Sequence, residues 1–249
     1  MNILIGILKY PPDYAGDGMR LHRTFQRLKK KGNVQNIQVL TSWDQNPPSR
    51  EETLDGVSIH RPVECTLKPE FRHLFKRMAF LSQIVKVITC YAKLSPKPDL
   101  VLTSGSGWLP SLIAWLAFFD RKPLVKEIVL LGSDDPATLH RRKGFWCKWF
   151  FLMPFRFAQL IIAISPALKT SCLDFKIPRE KIWCRFNAVD FEISVKDLAV
   201  EPPGVPIILW VGAVTRRKNV RFLLESARHL TGPAKVWFAG ERPLLSAAG

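Results

Sequence analysis

Short runs of Ile, Leu and Val alternate with helix-like patterns along this 249-residue chain, and this alternation limits its possible folds more than any other feature. Residues 1–8 are almost wholly apolar, as expected of a strand buried on both faces of a sheet. Such β/α alternation predicts an α/β fold, a Rossmann-like doubly wound parallel sheet. The other strands are predicted at residues 37–40, 57–59, 100–103, 124–131, 160–164 and 182–186, and the helices at 20–31, 71–94, 109–119, 142–151 and 166–172.

A polar, proline-rich segment, DLAVEPPGVP at residues 197–206, is typical of a linker. A new strand, helix and strand follow it at residues 207–211, 220–230 and 235–239. We therefore predict a first domain at residues 1–196, a linker at 197–206 and the start of a second Rossmann-like domain, its first β-α-β unit, at 207–249. The last segment is shorter than a stable α/β domain, so we expect this domain to be truncated or completed by another chain.

The chain is strongly basic, with a formal net charge of +16 and an isoelectric point near 9.9. This charge favours an anionic partner, namely nucleic acid, an anionic membrane surface or a phosphorylated small molecule, unless the lysines only solvate the surface. Aromatic and basic residues mix at residues 141–157, a pattern found in nucleic-acid binders and at lipid headgroups alike. No RNP, helix-turn-helix or zinc signature accompanies them, which disfavours nucleic acid.

Cysteine usage and apolar segments indicate the compartment. The five cysteines are scattered without a CxxC pair, which is typical of a reducing environment and predicts neither a disulfide framework nor a zinc site. The amino terminus lacks the basic leader of a signal peptide. The most apolar stretch, residues 145–165, contains Lys148, Pro154, Arg156 and Gln159, which a membrane span tolerates poorly. We expect a cytoplasmic protein.

The loop after the first strand, KYPPDYAGDGMR, lies where doubly wound sheets bind ligands. Gly16 and Gly18 permit close backbone approach, and the following helix start presents free amides to an anion. The loop has no GxGxxG fingerprint, so it is either a phosphate-binding loop or an ordinary turn. On the following helix, a basic face opposite the apolar stripe predicts acceptor or membrane contact, or simple solvation; it comprises Arg20, Arg23, Arg27 and Lys30.

Residues 71–94 carry an apolar arc wider than packing on one sheet requires. Either this helix is sandwiched, or part of it contacts lipid or another subunit.

Three acidic residues are candidates for catalysis or for binding sugar hydroxyls. Glu127 lies inside a strand, and Asp134 and Asp135 follow that strand's carboxyl end. A buried Glu is rare unless it is paired. Asp135 precedes Pro136 and is equally suited to cap the next helix.

The turn after the strand Ile207–Val211 is the strongest candidate for holding a phosphate. It combines Gly212 with the cations Arg216, Arg217 and Lys218 directly before a helix. A strand, a glycine turn with cations and a helix start form an anion-binding arrangement.

Five segments in this order resemble the GT-B glycosyltransferases of the family 4 type, which are retaining, nucleotide-sugar-dependent enzymes. They are the glycine loop at residues 11–18, the Gly-Ser-Asp-Asp at 132–135, the strand end at 164–165, the Asn-Ala-Val-Asp at 187–190 and the glycine turn with its helix at 211–219. The resemblance implies an acceptor-binding amino domain, a nucleotide-sugar-binding carboxyl domain and transfer without metal or other cofactor.

The resemblance also implies two cations on the donor diphosphate. Lys218 matches the second, whereas Ala213 stands where the family has an Arg, and Arg216 or Arg217 would have to replace it. The family's pair of glutamates that hold the donor does not follow Gly240, so we expect little or no transferase activity of the chain as given.

The favoured interpretation is therefore a glycosyltransferase of the hexosyltransferase type, peripheral at the inner face of an anionic membrane. Its acceptor would be a saccharide or a lipid-linked precursor in cell-surface glycan synthesis. The alternative is a non-catalytic remnant that binds a polyanion, a membrane or a protein partner.

Overall fold

The computed structural model describes residues 1–13, 16–43, 49–65, 74–142, 144–187, 204–212, 214 and 218–240, without the side chains of 74–77, 142 and 145–147. The chain forms two compact units, Met1–Val189 and Asp190–Gly249. Most of the predicted linker, residues 197–203, lies outside the described residues.

The first unit is built on an eight-stranded sheet in the order β3-β4-β2-β1-β5-β6-β7-β8. Neighbouring strands are parallel except β3 and β4, which confirms the predicted α/β class with a Rossmann-like parallel sheet. The strands are β1 (Asn2–Gly6), β2 (Asn36–Trp43), β3 (Glu51–Leu54), β4 (Val57–Glu64), β5 (Leu100–Ser104), β6 (Leu124–Ile128), β7 (Leu160–Ala163) and β8 (Ile182–Cys184).

The hairpin of β3 and β4 was not predicted, although its turn has a recognisable sequence. Asp55 and Gly56 connect the two strands with φ values of 50° and 76°. Two successive positive φ angles form a tight turn whose twist matches that of the strands, and Asp-Gly is a favoured pair for it. The hairpin places β3 antiparallel at the edge of the sheet.

Six helices of the first unit are described: α1 (Gly16–Lys30), α2 (Leu74–Lys93), α3 (Trp108–Phe119), α4 (Pro136–Arg142), α5 (Phe145–Phe157) and α6 (Pro166–Asp174). The helix predicted at residues 142–151 corresponds to α5, which begins three residues later, after an extended Gly144, and continues to Phe157. The separate helix α4, which ends at Arg142, was not predicted. The strand predicted at 124–131 ends at Ile128, three residues earlier than expected.

The core consists of two clusters, one on each face of the sheet. Alternate residues of β1 belong to different clusters, Leu4 to one and Ile3 and Ile5 to the other. The Leu4 cluster contains residues of α2, α3 and α5, and the other contains Leu21 and Phe25 of α1. Helices α1 and α2 therefore pack on opposite faces of the sheet.

The second unit contains β9 (Ile207–Val211), α7 (Val220–Ala227) and β10 (Lys235–Ala239), with β9 and β10 parallel. Gly212 and Gly240 follow the two strands and touch: a Cβ on Gly240 would lie 2.0 Å from the Gly212 carbonyl oxygen. Both have φ near +149°, so glycine is required at the ends of this strand pair.

Candidate functional site

A crevice opens at the carboxyl edge of the first unit's sheet, between β1 and β5. These strands are neighbours, but the chain leaves β1 for α1 on one face and β5 for α3 on the other. Loops that diverge in this way leave a gap, which is where open α/β sheets bind ligands.

Three segments at the carboxyl ends of β1, β5 and β6 meet in one cavity of about 470 Å³. Leu8 lines it from the loop after β1, Asp17 from the first turn of α1, residues 104–107 from the end of β5 and the turn before α3, and Ser133 and Asp134 from the segment after β6. The cavity is therefore formed by loops far apart in sequence, brought together by the order of the strands.

The Gly105-Ser106-Gly107 turn is fixed against the segment after β6. Gly105 has a φ of 79°, and its amide donates to the Glu127 carbonyl at 3.0 Å. The Ser106 hydroxyl donates to the Asp134 carbonyl at 2.8 Å, and the Ser106 amide donates to Asp134 Oδ1 at 3.2 Å. Gly107 is the N-cap of α3 and supplies no side-chain cap.

Lys126 lies beneath this turn and was not recognised from the sequence. It is fully buried, its Nζ donates to the Gly105 carbonyl at 3.0 Å, and it stands 4.7 Å from the centre of the Phe155 ring. Burial lowers the pKa of Lys126 to about 8, against the opposing charge of Asp134. A lysine within a buried strand was the sequence signal, since lysine is almost never fully buried without a partner.

Asp134 is the predicted catalytic residue whose surroundings suit binding. It lines the cavity while its side chain is largely buried. Burial raises the pKa of Asp134, although the backbone amides of Ser106, Val129 and Leu130 and the charge of Lys126 oppose the rise. A carboxyl group held in this way can accept hydrogen bonds from hydroxyl groups of a ligand.

Asp135 caps α4. Its carboxylate accepts from the Thr138 amide at 2.9 Å, the Gly132 amide at 2.5 Å and the Ser171 hydroxyl at 3.2 Å. Burial acts to raise the pKa of Asp135, but these hydrogen bonds outweigh it and hold the pKa below its usual value. The capping alternative therefore describes Asp135, whose acceptor positions are occupied.

Glu127 and Arg20, which were predicted in separate roles, form one ion pair. Glu127 Oε2 accepts from Arg20 Nη2 at 2.5 Å and from the Ser104 hydroxyl at 2.9 Å. Glu127 thus lies on the α1 side of the sheet and does not line the cavity beside Asp134. Arg20 does not belong to the exposed basic face, because its guanidinium is mostly buried against that carboxylate.

The other members of the predicted basic face, Arg23, Arg27 and Lys30, are exposed along α1. At the start of the helix, a Cβ on Gly18 would lie 2.7 Å from the Lys9 carbonyl oxygen, so Gly18 lets α1 approach the preceding loop. Gly16 is exposed with open space around it.

The cavity's own charges decide which ligand it suits. Asp17 and Asp134 both contribute to its wall. Two carboxyl groups repel an anion and attract donors, so the cavity fits a neutral, hydroxyl-rich molecule better than a phosphate. The phosphate role predicted for Gly16 and Gly18 therefore stays a prediction, with this electrostatic argument against it.

In the second unit, Lys218 is the one cation of the predicted glycine turn that belongs to the described residues. The Gly212 amide donates to the Ala239 carbonyl at 2.8 Å, and Lys218 Cε lies 3.8 Å from the position of a Cβ on Gly212. The exposed Lys218 thus lies over the end of β9, just before α7. Arg216, Arg217 and Ala213 lie outside the described residues.

Two further observations concern metals and membranes. Within the described ranges, no three His, Cys, Asp or Glu side chains lie together as metal ligands would. None of the described helices combines the length and apolar character needed to cross a bilayer.

The chain's sequence matches no family model and no curated protein. Its fold is similar to that of the HepE protein of Anabaena in complex with UDP and glucose, at 15% identity and a TM-score of 0.61 over 97% of this chain. It is also similar to sucrose-phosphate synthase from Thermosynechococcus elongatus, at 15% identity and a TM-score of 0.62 over 98% of this chain.

A third similar structure is the UDP-GlcNAc 2-epimerase from Neisseria meningitidis bound to UDP-GlcNAc, at 14% identity, a TM-score of 0.58 and 98% coverage of this chain. The chain spans 62% of the HepE structure, 63% of the synthase and 67% of the epimerase. At such low identity these similarities show the fold alone, a Rossmann-like α/β architecture of the GT-B kind.

Proposed function

We propose that this chain is part of a nucleotide-sugar-dependent glycosyltransferase, with the first unit's cavity as the saccharide acceptor site. The observation that carries the proposal is the meeting of three carboxyl-edge loops around Asp134 in a cavity of about 470 Å³. Its carboxyl groups and serine hydroxyls match the donors and acceptors that sugar hydroxyls need.

The second unit supplies the complementary part of the proposal. Transfer forms a bond between an acceptor hydroxyl oxygen and the anomeric carbon, breaks the bond from that carbon to the donor's phosphate oxygen, and passes the hydroxyl proton to the departing phosphate or to solvent. Negative charge then accumulates on the departing diphosphate. Lys218, held over the glycine turn after β9, is suited to stabilise that charge. The HepE structures contain UDP and UDP-glucose, so UDP-glucose is the first donor to test and UDP the first nucleotide.

Finer features of the proposal come from the motif resemblance. We propose a family 4, retaining hexosyltransferase that needs no metal and acts in cell-surface glycan synthesis. It would work on a saccharide or lipid-linked acceptor, in the cytoplasm and peripheral to the inner face of an anionic membrane. The net charge of +16 supports the membrane contact.

A saccharide-binding measurement tests the acceptor site directly. The 249-residue chain should bind a restricted set of glycans on a glycan array, and Asp134→Asn should weaken that binding by about tenfold or more, the effect of a hydrogen bond to a charged group. Asp174→Asn, the same change on the exposed end of α6, is the matched control and should bind normally. Absence of glycan binding, or equal binding by both variants, would contradict the proposal.

A second candidate function is binding of a saccharide or a protein partner without transfer. It is favoured because two of the three predicted catalytic acids are held in contacts within the protein. Glu127 is paired with Arg20 and Asp135 caps α4, which leaves Asp134 alone of the three on the cavity wall. Binding of UDP-glucose separates the candidates, because little or no turnover is expected of the chain: part of a transferase binds the nucleotide sugar, whereas a protein that only binds saccharides or partners does not.

A further inference from the structure

Helix α2 exposes a continuous apolar stripe on the side away from the core. Its inward face packs through Val87 and Tyr91. The outward side chains recur at intervals of three and four residues, which places them in one row about 15 Å long. They are Met78, Leu81, Val85 and Ile88, with exposed fractions of 62%, 60%, 60% and 42%.

The charge of α2 has one sign. Its sequence from Leu74 to Lys93 contains no acidic residue. Lys86 and Lys93 are exposed, and at 100° per residue they lie on the same flank of the apolar stripe. A basic flank beside an apolar face is the pattern of helices that lie in the headgroup layer of a bilayer.

A cavity of about 490 Å³ adjoins the stripe, between α2 and the β3–β4 hairpin. Val85 belongs to both the stripe and the cavity wall. Arg50, Lys86 and Lys93 also line the cavity, and among the described residues no ion pair engages these three cations. The carboxylate of Glu51 is part of the same wall and lies 3.6 Å from His60 Nδ1. An anionic headgroup in the cavity would therefore lie directly beside acyl chains along the stripe.

The exposed face of α1 offers charge without this apolar component. Arg23, Arg27 and Lys30 are exposed there, whereas the apolar Leu28 packs against the core. Because α1 and α2 cover opposite faces of the sheet, a flat surface lying along one helix does not lie along the other.

We propose that α2 and its adjoining cavity form the surface that binds an anionic bilayer, with the apolar stripe entering the acyl boundary and the cavity cations meeting lipid phosphates. The assignment rests on the membrane contact of the proposed function but is independent of sugar transfer. It replaces the α1 face as the membrane-binding surface.

Vesicle sedimentation of the whole chain tests the assignment with two kinds of variant. Vesicles of phosphatidylcholine with phosphatidylglycerol are compared with phosphatidylcholine alone, at low and at high salt. Lys86→Gln with Lys93→Gln should weaken low-salt binding to the anionic vesicles by about tenfold or more, at roughly fivefold per cation. Leu81→Gln with Val85→Gln should remove the binding that persists at high salt. All four positions are exposed, so thermal melting should be unchanged.

The matched control changes the charge of α1 instead, through Arg23→Gln with Lys30→Gln, and should retain binding within about twofold. Equal loss in the α1 and α2 charge variants would overturn the assignment in favour of nonspecific attraction. No binding of the unmodified chain to anionic vesicles would also overturn it, as would a dimer in sedimentation velocity that Leu81→Gln dissociates. Glycan binding measured on the same variants is expected to be unchanged, so failure here is distinct from failure of the acceptor site.

Discussion

Replacing Lys126 by Met tests the description of the cavity floor. The ammonium group of Lys126 is fully buried, donates to the Gly105 carbonyl and stands over the Phe155 ring. Methionine is similarly long, unbranched and apolar, so it can fill the same space beside Phe155 while it removes the titrating group.

The expected effect of Lys126 on the free energy of unfolding follows from its shift in pKa. The pKa of Lys126 falls from 10.5 to about 8 in the folded protein, equivalent to about 3 kcal/mol of penalty on the charged form. Between these values the unfolded chain binds more protons than the folded one, so the free energy of unfolding rises with pH. From pH 7 to pH 10 the contribution of Lys126 should rise by about 2 to 3 kcal/mol.

Urea denaturation of both proteins at a series of pH values measures this contribution. Other buried groups act in the opposite direction, because burial raises the pKa values of Tyr10 and Tyr91, so the quantity of interest is the difference between unmodified protein and Lys126→Met. That difference should grow in favour of the unmodified protein by about 2 to 3 kcal/mol over this range. Parallel pH profiles would refute the assignment of a buried, charged lysine beneath the cavity.

Three further substitutions test contacts around the site by thermal or chemical denaturation. Gly18→Ala should destabilise the protein by about 1–3 kcal/mol, because the added Cβ would meet the backbone of the preceding loop, whereas Gly16→Ala should have no such effect. Equal effects of the two substitutions would contradict the close approach of α1 to that loop. Arg20→Met should lower the free energy of unfolding by about 3–5 kcal/mol, because it leaves the Glu127 charge buried without a partner. Adding Glu127→Met should restore most of the lost stability, and additive losses in the double variant would show that the two residues are uncoupled. Asp135→Ala should lower the free energy of unfolding by about 1 kcal/mol above pH 5. The difference between the variant and the unmodified protein should vanish as acid protonates Asp135, and a difference that does not depend on pH would exclude the charged cap.

The parallel sheet and its ligand edge could be predicted because both follow from local patterns. A continuous apolar run such as β1 indicates a strand buried on both faces, and β/α alternation then implies parallel strands with loops at one edge. The loop with Gly16 and Gly18 and the segment with Asp134 are therefore predicted near that edge. The Asp55-Gly56 turn is an equally local signal for the β3–β4 hairpin.

Pairings between distant segments could not be predicted from periodicity. Helical spacing grouped Arg20 with Arg23 and Arg27, but Arg20 lies near the start of α1, where it reaches Glu127, 107 positions away. The capping and catalytic interpretations of Asp135 differ only in what surrounds the carboxylate, and Ser171, 36 positions away, is part of those surroundings. Sequence spacing contains no information on either contact.

Binding of UDP by the 249-residue chain, measured by isothermal titration calorimetry, tests the central claim of a nucleotide-sugar protein most directly. UDP should bind, and Lys218→Ala should weaken UDP binding by about tenfold or more if the lysine holds the diphosphate as a charged donor, as proposed. Arg228→Ala, beyond the end of α7, should bind as the unmodified chain does. No binding of UDP, or equal affinity with and without Lys218, would contradict the account.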